Sequence, residues 1–307
     1  MQQKVVVFGS FVVDLMARGP HLPVPGETVK GNYFQMGPGG KGFNQCVAAH
    51  KVGADVRMVT KIGTDQLSRV PLDLMDELGM PQDHVFRSND FATGTALVVV
   101  DENTSQNQIM IAPGACAQIT PDEVESIRPL LEESAYALLQ LEVNQDANER
   151  VAQIANECGC KVILNTAPYM PLSEDFVRRL HMVTPNEVEA EGMTGIPVTD
   201  LASAQEAAAW FHERGVEIVV ITLGSRGVFA SAGGRSELLP AHRVEAVDTT
   251  GAGDAFNGGL LAALAEGKDT WEAVSFANAV AALSVQKLGT AVSMPTRAEV
   301  DAFLASL

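Results

Sequence analysis

The chain has 307 residues, 46% of them hydrophobic and 19% charged, which is enough apolar content for one large core or two modest ones and excludes a disordered protein. Its 21 basic residues against 38 acidic ones leave a net charge of −17, a field that disfavours nucleic acid and anionic membrane surfaces. Four cysteines, Cys46, Cys116, Cys158 and Cys160, are too few and too irregular for a disulfide framework, and no second Cys or His pair follows Cys158-Gly159-Cys160 at zinc spacing.

The N-terminus, Met1-Gln2-Gln3-Lys4, lacks the apolar region and cleavage site of a signal peptide and leads into a buried strand over 5–9, as expected of a cytoplasmic protein. A β-rich excursion follows, with Val12-Val13, Leu15-Met16 and the run 29–34 set around Pro20, Pro23 and Pro25-Gly26. A glycine cluster then precedes a helix over 44–52 that stops at Gly53. Next come a strand over 57–62, a helix ending at Gly79, and a strand pair over 93–100 and 108–112 around Asn103. Strands over 136–141, 161–165, 182–184 and 217–223 alternate with helical segments such as 201–214, where Ala204, Ala208 and Phe211 share a face. The apolar stretch 277–285 is far shorter than the ~20 residues needed to span a bilayer.

This alternation predicts an α/β fold, a doubly wound and mostly parallel sheet flanked by helices, with ligands beyond the carboxyl ends of the strands. We expect one domain over 1–307, its core at 1–10, 37–90 and 113–307. A small β-sheet lid is expected at about 11–36 and 91–112; a sheet of that size must pack on the core, a ligand or a partner subunit.

Four segments carry chemistry. Asp248-Thr249-Thr250-Gly251-Ala252-Gly253-Asp254 runs into an apolar helix, so glycines and unpartnered amides at a helix N-terminus form an anion site with the Asp254 carboxylate at its edge. A carboxylate repels an anion but suits a hydroxyl that must lose its proton beside a phosphate; a plain turn with a dipole-favoured acid is the alternative. Gly37-Pro38-Gly39-Gly40-Lys41-Gly42-Phe43-Asn44-Gln45 lacks Walker A spacing and reads as another phosphate loop or a clamp for sugar hydroxyls. Thr184-Pro185-Asn186-Glu187-Val188-Glu189 ends a strand and caps a helix. Thr222-Leu223-Gly224-Ser225-Arg226-Gly227 follows a strand and either approaches a nucleotide or forms a hairpin. Gly9-Ser10-Phe11 after the first strand is not a dinucleotide fingerprint, which argues against an oxidoreductase.

In this order the segments resemble the ribokinase family of carbohydrate kinases, also called the PfkB family, over essentially the whole chain. The resemblance implies ATP and Mg2+ as cofactors and transfer of the γ-phosphoryl group to a primary hydroxyl of a pentose, ribose foremost. Asp254 matches the catalytic base, and Gly251, Ala252 and Gly253 match the anion hole. Asp14, Gly40, Lys41, Gly42, Asn44 and Glu142 fall at sugar-binding positions. Asn186 and Glu189 match the Asn-x-x-Glu motif near magnesium and the phosphates; Thr222, Gly224, Ser225 and Gly227 match the nucleotide loop, with Asn278 near the base. A K+ site is implied at Asp248, Thr250, Ser284, Lys287, Gly289 and Ser293, as is a homodimer through the lid. Val12 and Phe43 stand where ribose-specific members usually carry asparagine and alanine; losing a polar contact at Val12 makes deoxyribose a competitor, with other PfkB-type sugars or nucleosides behind it. A non-catalytic sugar or nucleotide sensor is disfavoured because Asp254 is intact.

Overall fold

The computed structural model describes residues 3–104 and 106–307; Met1 and Gln2 of the N-terminal lead-in and Ser105 of the lid lie outside them. In chain order the strands are β1 (Lys4–Phe8), β2 (Val12–Gly19), β3 (Tyr33–Gly39), β4 (Val56–Gly63), β5 (Val85–Ser88), β6 (Gly94–Asp101), β7 (Asn107–Ala112), β8 (Ser134–Leu139), β9 (Lys161–Leu164), β10 (Met182–Val183), β11 (Ile218–Thr222), β12 (Val228–Ala232) and β13 (Arg235–Leu239). Nine of them form one sheet in the order β13-β12-β11-β10-β9-β8-β1-β4-β5, and β3-β2-β6-β7 form a second. The large sheet is parallel from β5 to β11 and antiparallel at β12 and β13.

β1 shows why the sheet is covered on both faces. Val5, Val6, Val7 and Phe8 are all fully buried, but alternate residues join different clusters, Val5 and Val7 on one face and Val6 and Phe8 on the other. A continuous apolar run is what a strand between two helical layers requires. One layer holds the helices Lys41–Lys51, Ala252–Ala265 and Thr270–Ser284; the other holds Gln145–Glu157 and Leu201–His212. Gly258 lets the first two helices meet, because a Cβ there would lie 2.5 Å from both Ala48 Cβ and the Gln45 carbonyl. That close approach brings the two glycine-rich segments together.

The expected strands of the large sheet are present with ends shifted by up to two residues, and β5, β12 and β13 are additional. Two local expectations are corrected. The helix expected from residue 44 begins at Lys41, since Gly40 adopts φ 94 and takes the N-cap position. The strand expected over 29–34 lies at Tyr33–Gly39, pairing from Arg18↔Tyr33 to Val12↔Gly39. Pro38 does not prevent this, because β3 is the edge of its sheet and proline's missing N–H is tolerated there. Residues 37–39, placed with the core on sequence, therefore hydrogen-bond into the small sheet.

Candidate active site

The helix Ala252–Ala265 starts on Gly251, which holds φ 79 and offers no side chain to cap the terminus. Asp248 Oδ1 accepts from the Thr250 amide at 2.9 Å, and the Thr249 carbonyl accepts from Ala252 at 3.2 Å. The amides of Gly253 and Asp254 donate to no described residue. Free amides at the positive end of a helix dipole are what a phosphate requires, so this terminus fits an anion of that kind.

Asp254 is buried at the end of this first turn and is held by two carboxamides of the neighbouring helix. Asn44 Nδ2 donates to Oδ2 at 2.9 Å and Gln45 Nε2 to Oδ1 at 3.0 Å. Burial pushes its pKa up and Glu142 adds to the rise, while Lys41 and the two amide bonds hold it down; the net direction is upward. A buried, partly compensated carboxylate is a better proton acceptor than an exposed one. Lys41 is itself raised: burial lowers it, but the carboxylates of Asp254, Glu142 and Glu189 more than offset that.

Asp14, on β2, faces the same group of charges. Burial, then Glu142 and Asp254, raise its carboxyl to about 6. Glu142 follows β8; its Oε2 accepts from Ser10 Oγ at 2.5 Å and from the Lys41 amide at 2.9 Å, so it also caps the helix that carries Lys41. Asp14, Lys41, Asn44, Glu142 and Asp254 thus converge from four segments that are remote in sequence, with Gly40 joining β3 to the helix and Gly42 in its first turn, both close against residues 9–12. Asn44 Oδ1 is buried and has no partner among the described residues, an acceptor available to a hydroxyl. Val12 is buried with Ala96 and Cys116. Phe43 is directed into the core, edge-on to Phe11 with ring centroids 4.9 Å apart.

On the other side of Lys41, Asn186 and Glu189 form a reciprocal capping box. Glu189 Oε2 additionally accepts from Thr166 Oγ1 at 3.1 Å. Thr222 lies alongside Asn186 through a parallel bridge, its amide bonded to the Pro185 carbonyl at 2.9 Å. The segment Gly224 to Gly227 turns β11 into β12, so it does form the hairpin, with Gly224 and Ser225 exposed beside the Asn186 helix start. Asn278 Nδ2 donates to the Pro240 carbonyl at 2.7 Å, which satisfies that buried amide with backbone. No group of three or more His, Cys, Asp or Glu able to hold a metal occurs among the described residues. The donor set suits a magnesium ion held mainly by phosphates and water with Glu189 nearby, because Mg2+ keeps several waters.

Of the six residues at the implied potassium site, Asp248 is bonded to two others. Its carboxylate accepts from Thr250 and, at 3.1 Å, from the Gly289 amide, tying the loop before the anion site to the loop after Ser284. The Lys287 amide bonds to the Ser284 carbonyl at 3.3 Å, while its ammonium pairs outward with Glu299 at 2.7 Å. Ser293 Oγ donates to the Thr290 carbonyl at 2.8 Å.

Several residues without a role in the sequence motifs belong to this region. Gln140, Asn165 and Thr184 follow β8, β9 and β10 directly, three neighbours in the sheet, and all are buried. A polar residue just past a buried parallel strand is the signal that marks them, since ligands bind at that edge. They bond to Gln45 and Asn257, and sequence spacing carries no indication of those pairings.

The pfkB family carbohydrate kinase model matches residues 2–297. The chain is 40% identical over 304 residues to ribokinase of Haemophilus influenzae, covering 99% of each, and 32% identical over 301 residues to deoxyribokinase of Salmonella typhi, covering 98% of each. The structure of Arabidopsis thaliana ribokinase complexed with ribose and ATP superposes with a TM-score of 0.92 at 31% identity, over 99% of both chains.

Proposed function

The chain belongs to the pfkB family of carbohydrate kinases and is an ATP-dependent phosphotransferase with a hydroxyl group of a sugar as acceptor; we propose that it phosphorylates the primary hydroxyl of a pentose, ribose first and 2-deoxyribose second. The observation that carries this is the meeting of Asp254, Asn44, Lys41, Asp14 and Glu142 beside free amides at a helix start. Asp254 takes the proton of the attacking hydroxyl. The amides of Gly253 and Asp254, with Gly251 and Ala252 shaping the turn, stabilise charge on the transferred phosphoryl group. A loose transition state asks for this positioning and electrostatic support more than for covalent help. Asp14 accepts from sugar hydroxyls, Asn44 Oδ1 from another, and Lys41 balances the carboxylates while Glu142 fixes the turn at Gly40 and Gly42.

ATP with a divalent cation supplies the phosphoryl group. Asn186 and Glu189 orient hydrated magnesium and the phosphates, and Thr222, Gly224, Ser225 and Gly227 border the nucleotide with Asn278 behind them. K+ held near Asp248 and the carbonyls of Thr250, Ser284, Lys287, Gly289 and Ser293 stiffens the anion site. The small sheet acts as a lid over the sugar and as the contact of a homodimer. Register places Met36, Leu15, Leu97 and Met110 in one row across that sheet, and Met36, Leu97 and Met110 are exposed large hydrophobics. Among the described residues no helix is long and apolar enough to cross a membrane.

The test is ATP-dependent phosphorylation of D-ribose, 2-deoxy-D-ribose, fructose and a nucleoside. Preferred turnover of a pentose supports the proposal; exclusive turnover of fructose or the nucleoside overturns it.

A further inference from the structure

We propose that Gln45 is a positioning residue for Asp254, locked in orientation by a buried polar circuit that returns to the anion site. Gln45 Nε2 donates to Asp254 Oδ1 and also to Asn165 Oδ1, each at 3.0 Å. Asn165 Nδ2 donates to the Thr184 carbonyl at 3.0 Å, Thr184 Oγ1 to Asn257 Oδ1 at 2.6 Å, and Asn257 Nδ2 to the Gly253 carbonyl at 2.8 Å. The chain of bonds leaves the carboxylate and comes back to the residue before it. Gln45 Oε1 is occupied as well, accepting from Gln140 Nε2 at 2.7 Å.

The direction of every bond is dictated by groups that can only accept. The Thr184 carbonyl requires the NH2 of Asn165, which turns Asn165 Oδ1 toward Gln45. The ionised Asp254 requires an NH2 from Gln45, the same group that Asn165 Oδ1 requires. Neither carboxamide can flip without setting acceptor against acceptor, and an unmade buried hydrogen bond is costly. Gln45 is fully buried and Asn165, Thr184 and Asn257 nearly so, so water cannot substitute. The circuit holds Asp254 Oδ1 and the Gly253 carbonyl in a fixed relation.

This inference rests on the reading of Asp254 as proton acceptor. Besides Gln45 and Asn44, the groups acting on Asp254 are Lys41 and Glu142, with Asp14 in the same charged cluster. Since the Gln45 bond favours the ionised carboxylate, removing it shifts protonation to higher pH.

The experiment uses the full chain with ATP, Mg2+ and the preferred pentose, comparing wild type, Asp254→Asn, Gln45→Met and Asn165→Leu. Gln45→Met is expected to lower kcat about 10- to 100-fold, with KM for both substrates within about 3-fold, and to move the acid limb of the kcat–pH profile up by roughly one unit. Asn165→Leu keeps the Gln45–Asp254 contact but releases its brace, and gives the same changes at smaller size; it also serves if Gln45→Met does not fold. Thermal melts establish that each variant is folded. Folded variants with unchanged kcat and acid limb, or with a change confined to KM, overturn the inference. Wild-type turnover that persists in Asp254→Asn overturns the underlying reading of Asp254 instead.

Discussion

Asn44 Nδ2 donates to Asp254 Oδ2 at 2.9 Å across 210 residues of sequence, joining the two glycine-rich segments in one bond. The other end of the same carboxamide, Asn44 Oδ1, is buried with no partner among the described residues. One side chain therefore orients the carboxylate and presents an acceptor to the space beside it, which is what a hydroxyl about to lose its proton needs.

Asp254→Asn is expected to lower kcat by about 10²- to 10⁴-fold. The free amide of Gly253 is untouched, so ATP affinity stays within about 3-fold of wild type. Steady-state kinetics with a nucleotide-binding titration check both halves.

Asp14 makes a pH-dependent contribution to stability. Its carboxyl titrates at about 6 in the fold against 3.8 for the ordinary group, so the folded state holds this proton more tightly than the unfolded chain. Stability from this group is therefore present below pH ~4 and is lost as pH rises toward 6, by roughly 2–3 kcal/mol. Asp14→Asn should raise Tm at pH 7.5, leave it unchanged near pH 3.5, and raise KM for the sugar. Equal Tm shifts at both pH values would remove the explanation.

Val12→Asn should shift kcat/KM toward ribose relative to 2-deoxyribose by about 10-fold, because a polar side chain restores a partner for one hydroxyl. Val12 is buried in an apolar cluster, so the same change should cost about 1–3 kcal/mol of stability. An unaltered sugar preference in a folded variant takes Val12 out of the sugar contact.

Asp248→Ala cuts the bonds to the Thr250 and Gly289 amides. K+ is expected to raise wild-type kcat by several-fold over the same concentration of Li+, and the variant should lose that difference. Paired assays at constant ionic strength decide it.

Met110→Glu places a charge in the exposed row of the small sheet, where Met110 is 70% exposed. Sedimentation should report a dimer for wild type and a monomer for the variant, with little loss of Tm. A monomeric wild type would contradict the lid contact.

Much of this protein was legible in its sequence because the signals are local. Apolar runs bounded by glycine and the alternation of strand and helix patterns located the parallel core, since burial on both faces leaves a mark in every strand. The segments at Gly37 to Gln45 and Asp248 to Asp254 stood out as candidate sites because backbone turns and helix starts depend on neighbouring residues. Which side chains meet across the chain was decided only by tertiary structure. β3 moved to residues 33–39 because pairing with β2 outweighed the proline and glycines that suggested a loop. Asp254 acts on the protonation of Lys41 and of Asp14 only once the fold brings these residues, remote in sequence, to one place. The roles of Gln45, Asn165, Thr184 and Asn257 depend on hydrogen bonds between strand ends and helices far apart in sequence. A carboxamide carries no local sign of its partner, so its direction became fixed only when burial left it a single set of acceptors.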